Sequence, residues 1–175
     1  MKNLFKAAAL VLIAAFCLAG ALACNKPEPQ PSNPDANKII ELNVDEIASS
    51  IARNCSFEDQ YLALVEDRDF SLQSFGIPAE LVAGESGSKQ AAIYVSASTP
   101  EMIVCIKAAD ESSVGQIEEA VKARINDYIN NYTTYGPEQV QKLESAVSTV
   151  KGNYVVFAVT ADNSAAADYI SGILK

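Results

Sequence analysis

Apolar and polar positions recur along the chain with periods that change from segment to segment, and each period predicts an element. Val44, Ile47, Ala48 and Ile51 fall on one face at helical spacing, predicting a helix over residues 43–54 capped by Asn43 or Asp45. Residues 56–70 mix acids with Tyr61, Leu62, Leu64 and Val65 and predict a short strand or an irregular stretch. Residues 70–75 fit one helical turn, stopped by Gly76 and the Ile77-Pro78 pair, and residues 84–88 read as a surface loop. Two β-type runs, 91–97 and 102–108, are joined by Ser98-Thr99-Pro100-Glu101 as a hairpin. Asp110 caps a long helix whose apolar stripe runs Val114, Ile117, Val121, Ile125, Tyr128, Tyr132 and Tyr135 and stops at Gly136-Pro137. A short helix follows through about Glu144. A second hairpin joins 147–150 to 154–160 across Lys151-Gly152-Asn153, and Asp162 or Ser164 caps a closing helix carrying Ala167, Ile170, Ile173 and Leu174.

Two hairpins separated by a helix predict an α+β fold. It is a single domain with an antiparallel sheet of about four strands in a ββαββα core, packed with the long helix and shorter N- and C-terminal helices. The runs 102–106 and 154–159 are apolar on both faces, so the sheet needs cover on both sides. Either the helices divide between the faces, or a partner chain closes one of them.

The amino terminus follows a different rule. Lys2 and Lys6 precede an uncharged apolar run, Ala7 to Ala23, that ends at Cys24, the layout of a secretory leader. Ala21-Leu22-Ala23-Cys24 resembles the bacterial lipobox, in which the cysteine is lipidated on sulfur and becomes the new amino terminus; Ala21 stands where that motif usually has leucine. The same alanines also satisfy ordinary small-x-small cleavage, which would release a secreted form. The run is also at the short edge of a bilayer span, leaving an uncleaved anchor open. A cysteine at the cleavage point followed by a polar linker favours the lipoprotein. Residues 25–37 hold four of the seven prolines and almost nothing that could be buried, an extended stalk of roughly 40 Å at about 3.1 Å per residue. The expected organisation is a leader over 1–23, a lipidated Cys24 with its linker over 24–37, and a globular domain over 38–175.

Several pieces together resemble a family of Gram-positive bacterial lipoproteins known as domain of unknown function 4358. They are Cys24, Ser56-Phe57-Glu58-Asp59, Ala92-Ile93-Tyr94-Val95-Ser96, Met102-Ile103-Val104, the helix ending near Tyr132, Lys142-Leu143-Glu144 and Gly152-Asn153-Tyr154-Val155-Val156. Cys55 and Cys105 lie outside that pattern. The resemblance implies a single extracytoplasmic domain spanning nearly all of the mature chain, and it supplies no catalytic residues.

Composition narrows the chemistry. Of 175 residues, 49% are hydrophobic, which excludes a wholly disordered chain. With 13 basic and 22 acidic residues the formal charge is −9, which argues against nucleic acid. Losing Lys2 and Lys6 with the leader leaves 11 basic residues against 22 acidic ones, a formal −11 that anionic lipid headgroups repel. The absence of histidine removes Ser-His-Asp and Cys-His catalysis and imidazole-ligated metals.

Cys55 and Cys105 are candidates for a disulfide that would close a 50-residue loop, stabilising by about 4 kcal/mol in the chain-entropy model. The plainer reading, two separate small apolar side chains, is favoured because disulfide geometry is strict. Glu58, Asp59, Glu66, Asp67 and Asp69 lack calcium-loop spacing and read as a solvated face. Tyr128, Tyr132 and Tyr135 form a ridge that could meet a ligand or partner but is continuous with the core stripe. No catalytic residue, metal or cofactor is expected. The composite expectation is a membrane-anchored extracytoplasmic lipoprotein with a non-enzymatic role, meeting an envelope protein or a second copy of itself. The alternative is a small-molecule binder serving a transporter or sensor, which needs a pocket lined by the tyrosines.

Overall fold

A computed structural model describes residues 43–175; Cys24, the leader and the linker lie outside the described residues. The elements are α1 (Val44–Asn54), β1 (Ala63–Leu64), α2 (Arg68–Ser74), β2 (Ala91–Val95), β3 (Met102–Lys107), α3 (Glu111–Tyr135), α4 (Val140–Glu144), β4 (Val147–Lys151), β5 (Tyr154–Val159) and α5 (Asn163–Ile173). Short 3-10 turns at Ala79–Leu81 and Pro137–Gln139 join them. The fold is α+β, but the sheet has five strands rather than four. The added β1 is two residues long, too short to show any period, and pairs Leu64 with Tyr94 and Ala63 with Val95.

Side-chain oxygens set the helix starts. Asn43, not Asp45, caps α1 by accepting from Asp45 N–H at 2.9 Å and Glu46 N–H at 3.3 Å. Asp110 caps α3 through Ser113 N–H at 2.9 Å, and Asp162 rather than Ser164 caps α5 through Ala165 N–H at 3.0 Å. In α5 it is Ala166 that is fully buried, with Ala167 at the margin of the core.

All strands are antiparallel, in the order β1-β2-β3-β5-β4. The two hairpins therefore lie side by side, and the central seam joins β3 to β5 from Met102 opposite Val159 to Lys107 opposite Tyr154. In the second hairpin only Gly152 and Asn153 separate the strands, and Gly152 takes φ +54°, a conformation a Cβ would strain.

The two-faced apolar strands are covered by the chain's own helices. On one face Ile93, Val104, Ile106, Val155 and Phe157 meet Val114, Ile117, Val121 and Ile125 of α3 and Leu72 of α2. On the other, Ala92, Ile103, Cys105, Val156 and Ala158 meet Ile47 and Ile51 of α1 and Ile170 and Ile173 of α5. Each Val, Leu, Ile or Phe among them contributes about 1.5–3 kcal/mol on full burial. A partner chain is not needed to close the sheet. No helix among the described residues is long and apolar enough to cross a membrane.

Candidate functional site

The tyrosine ridge divides. Tyr128 and Tyr132 pack at the core rim with their ring centroids 6.4 Å apart, and the Arg124 guanidinium lies 4.8 Å from the Tyr128 centroid. Tyr135 is 89% exposed. It sits on the predicted stripe, but the 25-residue helix spans ~37 Å while a six-residue strand covers ~20 Å, so the last turn has no sheet beneath it.

Cys55 and Cys105 are both free thiols, so the disulfide is not formed. Cys105 is wholly buried in β3, and Cys55 is half-buried where α1 ends. Burial pushes the Cys55 thiol up to about 11 and raises that of Cys105 further, which keeps both protonated and unreactive at neutral pH.

The acidic run is a solvated face only in part: Glu58, Glu66 and Asp67 are exposed, while Asp59 is buried. Asp67 caps α2 through Phe70 N–H at 2.9 Å. Asp69 accepts a hydrogen bond from the Ser86 hydroxyl. Glu58 and Asp59 instead join a buried polar knot whose centre is Glu101, a residue that sequence reading treats as part of a turn.

The Glu101 carboxylate is fully buried at the end of the β2–β3 loop, one residue before β3. Glu58 N–H donates to Oε1 at 3.0 Å and Oε2 at 2.9 Å, and Asp59 N–H donates to Oε2 at 3.0 Å. The Thr99 hydroxyl donates to Oε2 at 3.0 Å, and the Lys142 ammonium from α4 stands 3.3 Å from Oε1. Lys142, with only 11% of its side chain exposed, also holds Glu58 at 2.8 Å. Its hydrogen bond keeps the Glu58 carboxyl below its ordinary range against the opposing effect of burial.

Asp59 braces the same loop from beside it. Its Oδ2 accepts from the hydroxyls of Ser96 and Ser98 and from the N–H groups of Ala97 and Ser98, while Oδ1 accepts from Tyr61 N–H at 2.7 Å. These donors, the Ser96 hydroxyl foremost, pull the Asp59 carboxyl down to about 2. Asn163 extends the knot by donating to Lys142 C=O at 2.7 Å and accepting from Thr160 N–H at 2.7 Å. The segment after α1, the β2–β3 loop, α4 and the start of α5 are thus tied at one end of the sheet.

Chemically the knot is closed on itself. Donors hold the Glu58 and Asp59 carboxyls below their ordinary range, and the single ammonium of Lys142 is shared by Glu58 and Glu101. Beside it lies a polar cleft of about 240 Å³ lined by Glu138, Gln141, Lys142, Ser145, Thr160 and Asn163. An apolar cleft of about 460 Å³ runs between α3, α4 and β4, floored by Ile125, Ile129, Leu143 and Phe157. A third, about 420 Å³, borders the end of α2 at Leu72, Gly76 and Pro78. None of the three is lined by a tyrosine. No group of three or more Cys, Asp or Glu among the described residues could hold a metal ion.

Sequence reasoning missed Glu101 because its partners lie 41 to 43 residues away. One signal was available. Glu58, Asp59, Ser96 and Lys142, all within the segments that carry the family resemblance, converge on it.

A family model described as Domain of unknown function (DUF4358) matches residues 84–160. The match runs from the loop before β2 to the end of β5 and is shorter than the span the resemblance implied: α1, the Ser56–Asp59 segment and α5 lie outside it. No curated protein and no solved structure matches the chain.

Proposed function

With residues 84–160 identified as a DUF4358 region, we propose that the chain is a bacterial lipoprotein held on the extracytoplasmic face of the cell membrane by acyl chains on Cys24. The observation that carries this reading is the order basic start, apolar run, Ala21-Leu22-Ala23-Cys24 and proline-rich linker, ahead of a fold whose described residues begin at Asn43. At about 0.8 kcal/mol per buried methylene, a multiply acylated cysteine anchors firmly, whereas the acidic domain itself has no attraction to anionic lipid.

The domain's role on that tether is non-enzymatic engagement of a protein or another envelope component. What supports this is the state of its polar groups: Lys142 pairs with Glu58 and Glu101, the Asp59 carboxylate is met by Ser96, Ser98 and backbone N–H groups, and the two thiols are protonated. The alternative, a small-molecule binder serving a transporter or sensor, draws no support from the three clefts described, none of which is lined by a tyrosine. Cys24→Ser tests the anchor. The variant should lose metabolic palmitate incorporation and leave the membrane fraction; retention of both would overturn the reading.

A further inference from the structure

β4 is an outer strand of the sheet, and its free side has no backbone partner among the described residues. Lys151 faces Tyr154 directly across the two-residue loop, so Lys151, Thr149 and Val147 direct their backbone groups to β5. Ser148 and Val150 therefore present theirs outward. Both side chains stand on the α3 side of the sheet, since they oppose the core residues Phe157 and Val155. Val150 is 41% exposed there, and Ser148 lines the apolar cleft floored by Leu143, Ile125 and Phe157. Opposite charges bracket the strand: Glu144 stands three residues before it and Lys151 ends it.

We propose that the open edge of β4 pairs with β4 of a second copy of this chain, antiparallel about Thr149, joining two five-stranded sheets into one. This inference does not depend on the lipid anchor. In that register Ser148 of each copy faces Val150 of the other, and the outward groups exchange four N–H···O bonds with none left over. The exposed Val150 of one copy then sits beside Ser148 at the mouth of the other's apolar cleft, so a protruding apolar side chain and a recess meet twice by symmetry. The antiparallel direction also carries each Lys151 toward the Glu144 end of its partner, whereas a parallel pairing would align like charges. The formal charge of −9 on each chain opposes approach and keeps the association reversible.

Thr149→Cys in the full chain tests this register. At the two-fold axis the two Thr149 positions form a closely spaced pair with Cα atoms about 4.5 Å apart, inside the disulfide range of about 4.4–6.8 Å. Mild oxidation of intact cells expressing the full chain, read on whole-cell protein, should convert most of T149C to a covalent homodimer. Ser148→Cys lies diagonal to its own counterpart, about 7–8 Å away, and should yield several-fold less. Val150→Pro added to T149C removes an outward donor from an edge strand and should abolish the dimer while far-UV circular dichroism is unchanged. The unsubstituted chain, with Cys55 and Cys105 in place, sets the baseline. T149C remaining monomeric, S148C crosslinking as readily as T149C, or T149C joining a different protein would each overturn the proposal, and the first two readouts stand even where V150P fails to fold.

Discussion

Two charged side chains are buried at opposite ends of the β2–β3 hairpin, and they are held in different ways. Glu101, at the loop end, is met by a countercharge and by donors from segments 41 to 43 residues away. Lys89, ahead of β2 at the open end, directs its ammonium at the carbonyls of Ala79 at 2.8 Å, Gly84 at 2.9 Å and Val82 at 3.5 Å. None of its partners is a carboxylate, and all lie within ten residues of it. The anion fastens distant parts of the fold to one another, whereas the cation shapes one local loop. Arg68 does the longer-range work at the lysine's end, pairing with Asp45 at 2.9 Å and donating to the backbone carbonyls of Lys89 and Ala91.

That difference sets the order of expected effects. Glu101→Ala should be the most damaging, because it leaves Lys142 with only the half-exposed Glu58 and strands the N–H groups of Glu58 and Asp59; the expected loss is about 3–5 kcal/mol by urea denaturation. Lys89→Met should cost about 1–3 kcal/mol, since it strands only carbonyl oxygens, which tolerate under-satisfaction better than buried N–H groups. Equal losses for the two variants would break the contrast.

Acid sharpens the same contrast with a smaller effect. The folded-state carboxyls of Asp59 and Glu58 are depressed, Asp59 to about 2, so their stabilising contribution is present above the ordinary carboxylate range near 4 and is lost as pH falls toward 2. Urea midpoints measured between pH 5 and 2 should fall in the parent chain and less steeply in Asp59→Asn. Lys89→Met should keep the parent slope, because no carboxylate faces that ammonium.

How much of this was legible depended on periodicity. The α3 stripe, the two hairpins and the two-faced apolar strands were readable because burial of whole faces repeats every 3.6 or 2 residues. The helices dividing between the faces followed from the apolar strands as one of two options, and only the packing of Ile47 and Ile170 against one face and Ile117 against the other decided it. Glu101, Asp59 and Lys142 were not legible as a group, because a buried polar network leaves no period and its members are joined only by the folded topology. β1 was legible only as one of two options, a short strand or an irregular stretch, because two residues are too few to show a period. Tyr135 misled because a stripe records a helix's own geometry and not where its neighbour ends.

The seam between β3 and β5 has a kinetic consequence. Each hairpin closes over a short loop, but the strands that meet at the centre lie 47 to 57 residues apart, with α3 and α4 between them. Closing so long a stretch is entropically costly and comes late. Until then the inner edges of both hairpins are unzipped and their oily surfaces bare, so the interval before the halves meet is when a nascent chain most needs a chaperone or dilution.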